Sequence, residues 1–250
     1  ITRAVTVTTT NGLGADRAVN ECNYTIIGST TNISSMDSAG GGADTQINAR
    51  WVSASPFTNQ INEVIALRFD LTGYSLALCT NFQLQLFNQR TNTARILHYY
   101  GVINGTAGAN NNGTVTNWTD DNWSESSTVL KFSTMPGLIF DGVSSTKGFT
   151  NTIDLGSATM NAVNEGTGVT FSSGSLDSFI QSHPNNLITI LVGVDTSSTG
   201  QSRFCSKETT ASALSVVTGA AGERDPGRRT AIGAAVVHSR LAHRRCAPDG

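Results

Sequence analysis

Large apolar residues occupy every second position from Ile65 to Leu71, where the chain reads IALRFDL. Ile65, Leu67, Phe69 and Leu71 share one face, and Ala66, Arg68 and Asp70 the other, because successive side chains leave opposite faces of a pleated sheet. The alternation recurs in Phe82, Leu84 and Leu86, and in Val5 and Val7 near the start. Leu187 to Val194 is nearly continuously apolar, which predicts a central strand covered on both sides. A short helix is predicted over Ser175 to Ser182. Elsewhere the pattern predicts eight or more short strands separated by turn residues: an all-β, two-sheet antiparallel sandwich of the jelly-roll type. Leu67, Phe69, Leu84, Leu86, Ile190 and Val192 are the expected core, with Arg68 facing away from Phe69.

Ile1 to Thr10 reads ITRAVTVTTT, a β-branched strand followed by Asn11-Gly12-Leu13-Gly14. These residues are read as a separable strand, with Ile1, Arg3, Val5 and Val7 on one side, joined to the body by a flexible glycine hinge. The expected organisation is therefore 1–14 strand and hinge, 15–218 sandwich, and 219–250 a basic tail rich in Arg and Ala.

At 250 residues the chain can bury a full core in one large β domain. Only 14% of residues are charged, and Thr, Ser, Asn and Gly dominate, a usage that points to a secreted β-rich protein. The formal net charge of -2 divides into about +3 on the tail, from six arginines against three acids, and about -5 on the body. The tail lacks interleaved aromatics, so nucleic acid is not an expected partner. No apolar run approaches the ~20 residues of a membrane helix, and Ile1 is read as a processed start in an extracellular or cell-surface protein.

Four cysteines, at 22, 79, 205 and 246, are too dispersed for a zinc knuckle. In an oxidising compartment Cys79 and Cys205 are the candidate pair; the alternative is four unpaired thiols. Asn23, Asn32, Asn104, Asn112, Asn117 and Asn122 each begin an Asn-x-Ser/Thr sequon and are candidate N-glycan sites. Structural calcium is the one metal the chain accommodates, with Asp44, Asp70, Asp120 and Asp121 as candidate oxygen donors beside Glu208. Surface ion pairing of Arg68, Asp70 and Glu208 is the plainer reading of those residues.

The segments ADTQINA (43–49), ALRFDL (66–71), HYYGV (98–102), WSE (123–125) followed by MPG, and FCSKE (204–208) occur in the order seen in secreted DNRLRE-type domains, which the chain resembles over roughly Ala43 to Thr210. The resemblance implies a bacterial jelly-roll sandwich akin to carbohydrate-binding modules, some of the alginate-binding type, on the cell surface. Such domains close with an apolar strand after the SKE motif. Here Ser215 to Val217 gives way to the arginine-rich tail, so the last strand is expected to be missing and a sheet edge open.

Two functions follow as expectations. One is a non-enzymatic structural protein whose N-terminal strand completes the sheet of a neighbouring copy, head to tail, building a filament; the same strand could instead be the first of its own sandwich. The other is a polysaccharide-binding module, with Trp51, Trp118 and Trp123, and beside them Tyr99 and Tyr100, as candidate sugar contacts. An enzyme is not expected: no catalytic residue is assigned, Asp120, Asp121 and Glu125 cluster only in a loop, and no nucleophile elbow, phosphate loop or zinc signature is present.

Overall fold

The computed structural model describes residues 3–25, 32–39, 46–53, 60–89, 94–103, 109–110, 123, 130, 132–140, 149–161, 164–194, 202–208 and 213–218, some of the strand residues by backbone alone. In chain order the strands are β1 (Arg3–Thr8), β2 (Ala15–Thr25), β3 (Asn32–Ala39), β4 (Gln46–Ser53), β5 (Gln60–Asp70), β6 (Cys79–Phe87), β7 (Arg95–Val102), β8 (Ala109–Asn110), β9 (Ile139–Phe140), β10 (Thr152–Met160) and β11 (Gly168–Phe171). The helix α1 (Gly174–Ser182) follows, then β12 (Leu187–Val194), β13 (Ser202–Cys205) and β14 (Ala213–Thr218).

Two antiparallel sheets hold all the strands except β8 and β9, which pair with each other in parallel. The smaller has the order β1-β14-β6-β11, and the larger β10-β7-β12-β5-β2-β3. β4 pairs with β5 at one end and with β13 at the other, while Phe204 of β13 bridges to Asn88 just beyond β6, so the β4–β13 pair links the two sheets along one side. Between the sheets lies the main core, in which Val7, Phe82, Leu84, Leu86 and Phe171 of the smaller sheet meet Leu67, Phe69, Leu97, Tyr99, Ile190 and Val192 of the larger. All six expected core residues are at most 1% exposed, and the register read from IALRFDL holds.

The helix sits where expected, starting one residue earlier. Ser173 caps it, accepting from the Leu176 N–H at 3.0 Å. Its Asp177 carboxylate accepts from the N–H groups of Asn81 and Phe82, and Phe179 packs on Gly101, where any Cβ would come within 2.6 Å of the ring.

Three expectations are corrected. First, the closing strand is present. β14 pairs with β6 on one side and β1 on the other, because ALSVVT carries enough β-branched and apolar residues to form a strand before the composition changes. Second, the far face of β5 is not a solvent face. Val64 and Ala66 are fully buried and Arg68 is 9% exposed, since Trp123, Leu130, Phe132, Met135 and Leu138 lay a second apolar cluster over Ala15, Val19, Val64, Ala66 and Leu191. Third, Arg68 is buried and not a surface charge. Its guanidinium donates to the Trp123 and Leu13 carbonyls and lies 4.9 Å from the Trp123 ring centroid. The arginine-rich tail, 219–250, lies outside the described residues.

Candidate assembly edge

β1 is the edge strand of the smaller sheet. Its ladder with β14 runs its whole length, from Arg3↔Thr218 to Thr8↔Ala213, with Val5 opposite Val216 and Val7 opposite Leu214. Val7 is 2% exposed and belongs to the main core, whereas Thr6 is exposed, which is the alternation expected of this segment. Ile1 lies outside the described residues, and Arg3 and Val5 are placed by backbone register alone.

The link from β1 to β2 crosses from one sheet to the other. It is a hydrogen-bonded corner, not the loose hinge its glycines suggest. Asn11 N–H donates to the Thr8 carbonyl at 3.0 Å, Gly14 N–H to the Asn11 carbonyl at 2.8 Å, and Thr8 N–H to Asn11 Oδ1 at 2.7 Å. Three bonds to β2 and β5 fasten the corner, two of them long-range. Leu13 N–H donates to Asp70 Oδ2 at 2.9 Å, Arg68 Nε to the Leu13 carbonyl at 2.7 Å, and Thr9 Oγ1 to Asp16 Oδ2 at 2.7 Å. Asp16 Oδ2 also accepts from the N–H of Lys207, in the FCSKE segment. The glycines serve close approach: Gly12 has φ +54° and a Cβ there would fall 2.1 Å from Asp70 Oδ2, while one on Gly14 would meet the Thr9 carbonyl oxygen at 2.5 Å.

Partial burial pushes the Asp70 carboxyl upward, but the hydrogen bonds from the Thr72 hydroxyl, from the Leu13 and Thr72 N–H groups, and the charge of Arg68 outweigh it. The net result is a pKa below the ordinary aspartate value. Asp70 is thus a main-chain anchor. No group of three or more His, Cys, Asp or Glu that could hold a metal occurs among the described residues, and Asp44, Asp120 and Asp121 lie outside them.

Trp123 is corrected as a sugar contact. It is fully buried, its indole N–H donates to Thr189 Oγ1 at 2.9 Å, and its ring is covered by Arg68, so no face is open to a pyranose. Trp51 is on β4 with its side chain outside the described residues, and Trp118 lies outside them altogether. The proposed Cys79–Cys205 disulfide is also corrected. Cys79 is a buried free thiol on β6, whereas Cys205 is disulfide-bonded, so the two are not joined. Asn23 and Asn32 sit in the β2 and β3 ladders, opposite Gln60 and Thr25 respectively; Asn104, Asn112, Asn117 and Asn122 lie outside the described residues.

Sequence reasoning missed Leu13, Asp16 and Thr9 as parts of the corner. The only local signal was Asn11-Gly12-Leu13-Gly14, which marks a turn and says nothing of what the turn touches. No protein-family model matches the chain, and no curated protein matches it. Among the described residues no helix is long and apolar enough to cross a membrane.

Proposed function

We propose that this chain is a non-enzymatic structural protein of the cell surface or extracellular space that assembles with copies of itself, head to tail, by exchanging β1. The observation that carries the reading is the position of β1: a six-residue edge strand whose ladder is with β14. The register that β1 makes with its own β14 can be made without change by β1 of another copy, so exchange keeps the sheet and the burial of Val7 while joining two chains. Because donor and acceptor are different surfaces, each copy can give one strand and receive one, and a contact of this kind that does not close builds a filament. The disulfide at Cys205 and the six sequons support an oxidising, extracytoplasmic setting of the kind the DNRLRE-type resemblance implies.

The carbohydrate-binding alternative rests on five aromatic residues, of which Trp123 is sealed in the second apolar cluster and Tyr99 is fully buried in the main core. The assembly reading is therefore preferred. Its test is deletion of residues 1–10, followed by negative-stain imaging and light scattering. The full chain is expected to form oligomers or fibres and the deletion to stay dispersed, with added ITRAVTVTTT peptide refilling the vacated edge of β14. A full chain that remains monomeric at high concentration rejects it.

A further inference from the structure

The corner between β1 and β2 must open before β1 can leave its own sheet, because those two strands lie in different sheets and only residues 9–14 join them. What keeps the corner shut is polar. The Leu13 side chain is 63% exposed, so no apolar burial of that residue holds the turn down. Its peptide groups are held instead, with the N–H on Asp70 and the carbonyl on Arg68. Both holders are fixed from elsewhere: Asp70 Oδ1 accepts from the Thr72 N–H at 3.0 Å, and Arg68 is clamped by the ring and carbonyl of Trp123.

We infer that Arg68 and Asp70 form a latch on the Leu13 peptide groups that decides whether β1 stays in its own sheet or is released for exchange; the inference rests on the strand-exchange reading above. The latch separates two energies. Pairing of β1 with β14 is the same in the closed and the exchanged forms, since register and partner are unchanged. The corner bonds exist only in the closed form. Loosening them therefore shifts chains toward exchange without removing a contact from the main core, and the balance is set by the difference between the two forms rather than by overall stability. Asp16 adds a second hold through the Thr9 hydroxyl, at the other end of the same turn.

The test uses the register of the sheet as a trap. Thr6 faces Ser215 across the β1–β14 ladder. Full-length chains carrying T6C alone are mixed with chains carrying S215C alone, and the disulfide scored is the one between positions 6 and 215, identified by peptide mapping apart from any that involve the four native cysteines; it forms when β1 of one chain lies in the sheet of another. The mixture is made in otherwise native chains and in chains that also carry D70N, with hydrogen exchange of the Leu13 amide read in parallel. D154N is the control: among the described residues the exposed Asp154 carboxylate accepts from the Gly156 N–H, in the bulge of β10. The latch predicts that D70N speeds Leu13 exchange by about tenfold or more, the factor that one charge-assisted hydrogen bond carries, and raises the mixed disulfide several-fold, while D154N changes neither. G12A, which drives a methyl group against the Asp70 carboxylate, is expected to act in the same direction and serves if D70N folds poorly. Faster Leu13 exchange with an unchanged yield of mixed disulfide overturns the latch and leaves strand exchange standing. Unchanged Leu13 exchange overturns it as well. No mixed disulfide in any background rejects strand exchange itself, and the latch with it.

Discussion

Arg68 and Trp123, 55 residues apart in sequence, hold each other: the guanidinium lies over the indole at 4.9 Å and donates to the tryptophan's own carbonyl. The indole N–H reaches Thr189 on the adjacent β12 strand, so one tryptophan ties β5, β12 and the covering segment together. Removing the ring should be costly. Trp123→Ala is expected to destabilise the protein by about 3–5 kcal/mol, measured as a lower denaturant midpoint. Trp123→Phe should cost less but leave Thr189 without that donor. A midpoint unchanged in both variants would show that the second cluster contributes nothing to stability.

Gly12 and Gly73 offer a matched pair. Both have positive φ, +54° and +93°, but a methyl group at Gly12 meets Asp70, whereas at Gly73 it meets nothing within 4 Å among the described residues. Alanine at Gly73 should cost only the backbone strain, of order 1–3 kcal/mol. At Gly12 it should cost more, because the carboxylate must move off the Leu13 N–H. Equal midpoints for the two variants would contradict the close approach.

The pH dependence of stability should carry the signature of Asp70. Its folded pKa lies below the ordinary value, so its contribution is present above the unfolded pKa, near 4, and is lost as pH falls through the folded one. As pH falls below about 4, the native chain should therefore lose more stability than D70N, with the two curves parallel above about pH 5. Parallel curves throughout would show that Asp70 is not held as described.

Cys79 should be silent to thiol reagents while the protein is folded. It is buried, desolvation pushes its thiol pKa up, and the thiolate is the reactive form. Labelling of Cys79 with a maleimide, read by peptide mapping, is expected only on unfolding, with Cys205 protected by its disulfide until reduction. Ready labelling of Cys79 in the native state contradicts the burial of β6 at that point.

Much of this architecture was legible in the sequence because its cause is local. Period-two alternation at Ile65 to Leu71 sets the register of β5 whatever surrounds it, since a slip of one residue would turn Phe69 away from the core. The apolar run of β12 and the helix after Ser173 follow from composition and capping in the same way. The reading of Arg68 as a surface charge failed because period two reports which residues share a face and is silent on whether that face is covered. The covering residues come from a distant segment, Trp123 to Leu138, in which no period marks them.

By itself, then, the sequence determined an all-β chain, the inward face of its central strands, the place of its helix and the strand character of Arg3 to Thr8. All of these depend on side chains spaced a few residues apart. Only the tertiary structure decided that β14 closes the smaller sheet, that Trp123 is packing rather than platform, and that Asn11 to Gly14 is a fastened corner. Glycine reads locally as freedom. At Gly12 it is instead the space that Asp70 fills, and a contact across 57 residues of chain cannot be written in the four residues of the turn.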